Sequence, residues 1–130
     1  MRDTVVYLKA MGRRRREEPI PLEAFERALQ EEMSLSAEFD LPLTLLTVRA
    51  ETGLDPETTR RLLGVFRSAE FVTRPASSEL AVILPNTDPD GARAVERRVR
   101  EVLPDAAVGL ATPRPDDEAS DLLERARSAP

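Results

Sequence analysis

The chain has 130 residues, enough for one domain with a real core but too few for two. Cysteine and histidine are both absent, which excludes disulfides, thiol nucleophiles, imidazole acid–base catalysis and zinc sites of the Cys/His type. The net charge of −5 is unevenly distributed, because residues 1–16 carry six basic side chains against Asp3 and the rest of the chain is strongly acidic. We therefore expect no attraction of nucleic acid to the general surface.

Residues 1–21 are predicted to form an N-terminal segment and basic linker. Arg13 to Arg16 are followed by Pro19 and Pro21, which restrict the backbone and favour an exposed linker. No signal peptide and no apolar run of membrane-spanning length is present, so we expect a cytoplasmic protein. We interpret the arginine run as a charged linker, or as a segment that neutralises the acidic domain of a partner protomer, in preference to a site for anionic lipid.

Residues 22–130 are predicted to form one domain of alternating helices and strands. Apolar side chains at three- and four-residue steps predict the helices, and Asp55 and Asp88 each precede a proline, a typical helix start. Short apolar runs predict the strands. In chain order, the predicted elements are helix 22–39, strand 41–50, helix 56–68, strands 70–74 and 79–84, helix 89–103, strand 106–111 and helix 118–128.

The order of these elements predicts an α+β fold. Two βαβ units around a central hairpin give a ferredoxin-like antiparallel sheet with packed helices. The apolar pattern of helices 56–68 and 89–103 places both on one face of this sheet.

The segment 74–88 carries the most informative pattern of the chain. It resembles the signature hairpin of the GGDEF family, the diguanylate cyclases, in which Gly-Gly-Asp-Glu-Phe stands in the place of residues 76–80. Weaker matches in the family's order extend the resemblance over residues 22–130; they are segments 42–51, 66–74, 84–92, 108–112 and 121–126. The resemblance implies a fold of the nucleotidyl-cyclase palm type and a part in cyclic di-GMP signalling.

The sequence departs from this family at the residues that carry its chemistry. Family enzymes join two GTP molecules with divalent metal held by a strand aspartate and a signature carboxylate, but an arginine, which cannot ligate a cation, stands at the aspartate position. We therefore expect a degenerate, non-catalytic domain that is not an enzyme and holds no metal or cofactor. The vestigial active site comprises Arg49, Glu51, Ala76, Ser77, Ser78 and Glu79.

Arg67 and Glu70 lie in the register of the family's inhibitory Arg-x-x-Asp site, which binds cyclic di-GMP. Arg67 could pair with a phosphate, whereas Glu70 replaces the family aspartate. The alternative interpretation is a solvated charge pair at a helix end.

These observations predict a regulatory or protein-interaction domain in bacterial signalling, with a protein partner or self-association as its output. The alternatives are a cyclic di-GMP receptor that uses Arg67 and a weak nucleotide-processing enzyme. Because a guanidinium at a buried strand end needs an acceptor, Arg49 is predicted to pair with Glu79 or Glu51.

Overall fold

A computed structural model of the chain describes residues 19–66, 69 and 71–129. Within this part of the chain the predicted elements are all present, and no helix is long and apolar enough to cross a bilayer. Asp55 and Asp88 accept hydrogen bonds from the backbone N–H groups of Thr58 and Gly91, as their sequence context predicts. The elements are α1 (Leu22–Phe39), β1 (Leu43–Arg49), α2 (Pro56–Val65), β2 (Val72–Ala76), β3 (Glu79–Pro85), α3 (Pro89–Val102), β4 (Ala107–Ala111) and α4 (Ala119–Arg127).

The four strands form one antiparallel sheet in the order β2-β3-β1-β4. β1 lies in the middle of the sheet, where it pairs with β3 from Leu43–Pro85 to Arg49–Glu79 and with β4 from Leu45–Ala111 to Arg49–Ala107. This strand order is the one that two βαβ units around a hairpin produce, so the predicted ferredoxin-like, palm-type fold is confirmed.

Helices cover both faces of the sheet. Leu46 and Val48 of β1 pack with Leu62 of α2 and Val99 of α3 on one face, as the apolar pattern predicts. On the other face, Leu45 packs with the buried side chains of α1 and α4. Because successive residues of β1 point to opposite faces and both faces are covered, the strand is apolar along most of its length.

The hairpin differs from the prediction at β2. The predicted strand was 70–74 with a connection of four residues, whereas β2 is Val72–Ala76 and the turn is only Ser77–Ser78. Pro75 lies inside the strand, close to a register shift between Thr73 and Ala76. A proline is tolerated there because β2 is an edge strand and its missing N–H leaves no ladder bond unmade.

Candidate functional site

The structure brings most of the residues that were predicted to form a vestigial active site together at one end of the sheet, which we call the hairpin end. Arg49 is the last residue of β1 and lies directly opposite Glu79, the first residue of β3. Ala76 ends β2 and pairs with Glu79, while Ser77 and Ser78 form the turn.

Three other predicted site residues lie apart from this group or outside the described part of the chain. Glu51 is exposed in the turn that follows β1. Arg67 and Glu70 lie outside the described residues, so the predicted inhibitory site stays a prediction.

Arg74 ties the hairpin to the loop that follows β1. Its guanidinium donates hydrogen bonds of 2.6 Å to the carbonyl of Ser77 and 2.9 Å to the carbonyl of Leu54. A third link, 2.9 Å from the N–H of Ala50 to the carbonyl of Ser78, continues the β1–β3 ladder into the turn. The turn therefore has a fixed position relative to the end of β1.

The carboxylate of Glu79 is bound by an arginine of the last helix. Arg127 Nε donates to Glu79 Oε2 at 2.7 Å, and Arg127 Nη2 donates to Glu79 Oε1 at 3.1 Å. This bidentate pair raises the pKa of Arg127 above its ordinary value, chiefly through the hydrogen bonds from its guanidinium to the carboxylate. Only 14% of the Glu79 side chain is exposed, so the guanidinium covers most of the carboxylate that faces this end of the sheet.

Close packing of α4 on the sheet brings Arg127 to this position. The hydroxyl of Thr47 in β1 donates a hydrogen bond of 3.1 Å to the carbonyl of Ala126. Gly109 in β4 lies so near that a Cβ built on it would be 1.9 Å from the oxygen of Ala126. Only a residue without a side chain allows this approach, and the next residue along the helix is then beside Glu79.

The predicted pairing of Arg49 with Glu79 or Glu51 is wrong. Although Arg49 lies opposite Glu79 in the ladder, both carboxylate oxygens of Glu79 are taken by Arg127. Arg49 is exposed and forms no ion pair with any carboxylate of the described residues. Its guanidinium is solvated at the strand end, so the burial that would have required an internal acceptor does not arise.

These side chains do not fit the divalent metal that the resemblance implies. A metal at Glu79 would have to displace the Arg127 guanidinium and sit beside the positive charge of Arg49. Among the described residues, no group of three or more acidic side chains is arranged to hold a metal ion. The cleft between these residues is also small, with a volume of about 10 Å³.

The residues that sequence reasoning missed are Thr47, Gly109 and Arg127. One signal was available, because a glycine inside an apolar strand often marks a close backbone approach. Nothing in the sequence indicated that the last arginine of α4 would face Glu79, since the two residues are 48 positions apart.

Comparison with protein-family models and with curated proteins finds no match. Solved structures do match in fold. The active GGEEF domain of a diguanylate cyclase from Vibrio cholerae is 14% identical with a TM-score of 0.70, over 81% of this chain and 84% of that one. The GGDEF domain of DgcB from Caulobacter crescentus, in complex with c-di-GMP, is 17% identical with a TM-score of 0.72, over 87% and 84%.

A third match is the diguanylate cyclase SiaD from Pseudomonas aeruginosa, in complex with its activator SiaC. It is 19% identical with a TM-score of 0.67, over 82% of this chain and 52% of that one. The chain therefore has the fold of GGDEF domains, as its resemblance implies.

The prediction that the chain is not an enzyme is contradicted by these comparisons. Its fold is shared with an active diguanylate cyclase domain, so it is an enzyme fold. That prediction depended on Arg49, an arginine at the strand position where family enzymes have an aspartate.

Proposed function

We propose that this chain is a signalling domain of the GGDEF fold whose output is a contact with a protein partner. The observation that carries the proposal is the bidentate ion pair between Glu79 and Arg127. It engages the carboxylate at the signature position with a group of the same chain. The hairpin end is thereby held in one arrangement by internal contacts, as suits a surface that another protein recognises.

Two further observations support a protein contact. Arg74 fixes the hairpin turn to the loop after β1 through backbone carbonyls, so internal contacts define the shape of this end. In addition, one protein with this fold, SiaD, forms a complex with an activator protein.

Affinity purification of the tagged full-length chain from its source organism tests the proposal. We expect a protein to co-purify in a fixed ratio and to stay bound when bound nucleotides are removed by gel filtration. Recovery of the chain with small molecules alone would contradict the proposal.

Binding of cyclic di-GMP is a second candidate function. It is favoured by the structure of the DgcB GGDEF domain in complex with c-di-GMP, which shares the fold of this chain. The proposed ligand residue is Arg67, whose guanidinium would pair with a phosphate.

Calorimetric titration with cyclic di-GMP separates the two candidates. Saturable binding that is lost in Arg67→Ala and kept in the exposed control Arg93→Ala would identify a receptor. Absence of saturable binding to the wild-type protein would contradict the receptor function.

A further inference from the structure

A large open groove lies at the opposite end of the sheet from the hairpin. It is a groove of about 640 Å³ between the C-terminal half of α1, the start of α3 and the loop 112–117 that follows β4. This volume is in the range of ligand-binding clefts. We call it the acidic groove, because four of its lining residues are Asp40, Asp88, Asp116 and Asp117.

Two of the four aspartates are already engaged. Asp88 caps α3 by accepting from the N–H of Gly91 at 2.8 Å. Asp117 accepts 2.7 Å hydrogen bonds from the guanidinium of Arg125 and from the backbone N–H of Arg114.

The other two are unpaired in the described part of the chain, and the groove as a whole is acidic because its lining has four aspartates against one arginine, Arg114. Asp40 and Asp116 are exposed, and neither side chain has a hydrogen bond or ion pair within the described residues.

The groove also has an apolar part. Met33 and Leu43 are buried at its base, while Leu41 is 46% exposed beside them. A metal ion or a small polar cation would leave this apolar surface exposed to water. The lining therefore favours an occupant that has both cationic and aliphatic groups.

The N-terminal segment of this chain has that chemistry. Arg13 to Arg16 give it a dense positive charge, and Val5 to Leu8 give it an apolar strip. Residues 1–16 of this segment have a net charge of +5, which complements the acidic remainder of the chain.

Chain length decides whether the arginines reach the groove of their own molecule. Asp40 lies one helix away from the N-terminal end of α1, about 27 Å for its 18 residues. Arg13 to Arg16 precede Pro19 by three to six residues, so even a fully extended chain carries them only about 10 to 20 Å from it. Asp40, at the far end of the groove, therefore lies beyond the reach of these backbone positions of its own molecule, whereas a second copy has no such restriction.

We infer that the acidic groove binds the arginine-rich N-terminal segment of a second copy of this chain. The inference goes beyond the proposed function, because it adds a second copy of the chain as a partner and a surface other than the hairpin end. Because segment and groove are different surfaces, the contact is head-to-tail, and it closes into a ring or extends into a chain of copies.

Carbodiimide cross-linking of the full-length protein tests this inference, since Lys9 is the only lysine of the sequence. The reagent joins the Lys9 amine to carboxylates within contact distance. A mixture of unlabelled and ¹⁵N-labelled protein distinguishes links between two copies from links within one. We expect mixed-isotope links from Lys9 to Asp40 or Asp116, which disappear as salt is raised to about 1 M.

Matched variants control for a general charge effect. Asp40→Asn with Asp116→Asn should weaken self-association in sedimentation experiments about tenfold, as expected for the loss of two exposed charge pairs. Asparagine tolerates the left-handed backbone of both positions, with φ of 51° and 69°, so the fold is kept. Glu101→Gln with Asp105→Asn removes the same charge from exposed positions at the C-terminal end of α3 and should leave association unchanged.

Same-isotope links alone would overturn the inference, because the contact would lie within one molecule. Lys9 links to Glu101 and Asp105, or equal weakening by both variant pairs, would also overturn it. None of these outcomes changes whether another protein co-purifies with the chain from the source organism. The proposed function and this inference can therefore fail separately.

Discussion

The two ends of the sheet handle their carboxylates in opposite ways. At the hairpin end, Glu79 is bound by Arg127 and the cleft is about 10 Å³. At the other end, Asp40 and Asp116 form no ion pair among the described residues, and the groove is about 640 Å³. An end whose charges are satisfied internally presents a partner with a fixed shape, whereas an end with unpaired charge and open apolar surface also attracts a partner of opposite charge. The family resemblance lies in the hairpin, but the groove at the other end has the larger open volume and the unpaired carboxylates.

The largest expected effect comes from breaking the packing that closes the hairpin end. In Gly109→Ala the new Cβ would meet the oxygen of Ala126 at 1.9 Å, so α4 must shift. We expect a loss of about 2–3 kcal/mol in the free energy of unfolding, measured by urea denaturation.

Gly64→Ala is the matched control, since nothing lies within 4 Å of a Cβ at this position in α2. It should stabilise the protein by about 0.5–1 kcal/mol, because alanine favours a helix over glycine. Equal destabilisation by both substitutions would contradict the close contact between Ala126 of α4 and Gly109 of β4.

The hydroxyl of Thr47 should contribute less, yet measurably. Thr47→Val removes the hydrogen bond to Ala126 and leaves its carbonyl without that donor, which should lower stability by about 1–2 kcal/mol. Thr59 offers the same substitution at a buried hydroxyl that has no hydrogen-bond partner in the described part of the chain. Thr59→Val should be neutral or stabilising, and the reverse ranking of the two valine variants would refute the assigned contact.

The groove end predicts a pH effect through Asp117. The Arg125 guanidinium, with the N–H of Arg114, holds the pKa of Asp117 below its ordinary value. A carboxyl with a lowered pKa stabilises the folded state above its unfolded pKa, and this stabilisation is lost as the pH falls through the folded pKa. The stability difference between wild type and Asp117→Asn should therefore be constant above about pH 4 and shrink below it.

Thermal unfolding between acidic and neutral pH measures this difference. Repeating the pair of measurements with Arg125→Ala should reduce it, because the largest cause of the pKa shift is then removed. A difference that persists unchanged at acidic pH would contradict the assignment.

The sequence predicted the fold well because its signals are local. The Asp-Pro helix starts at Asp55 and Asp88 and the apolar runs of the central strands each depend on a few neighbouring residues. The hairpin boundary was less predictable, since Pro75 is tolerated only because β2 lies at the edge of the sheet. That position follows from the whole topology.

The candidate site was predicted only in part, for a similar reason. The opposition of Arg49 and Glu79 follows from the register of two strands. Which arginine binds Glu79 depends on where α4 ends against the sheet, and that depends on the approach of Gly109 to Ala126. Such a contact joins residues that are far apart in the chain, so no local sequence pattern predicts it.

A double-mutant cycle tests the central claim about the hairpin end most directly. Glu79→Gln is combined with Arg127→Ala in one cycle and with Arg49→Ala in a second, and the free energy of unfolding is measured for every variant. Because the Arg127 side chain is 39% exposed, its pair with Glu79 should show a coupling of about 0.5–1 kcal/mol, with a smaller coupling to Arg49. A coupling to Arg49 that equals or exceeds the coupling to Arg127 would contradict the account.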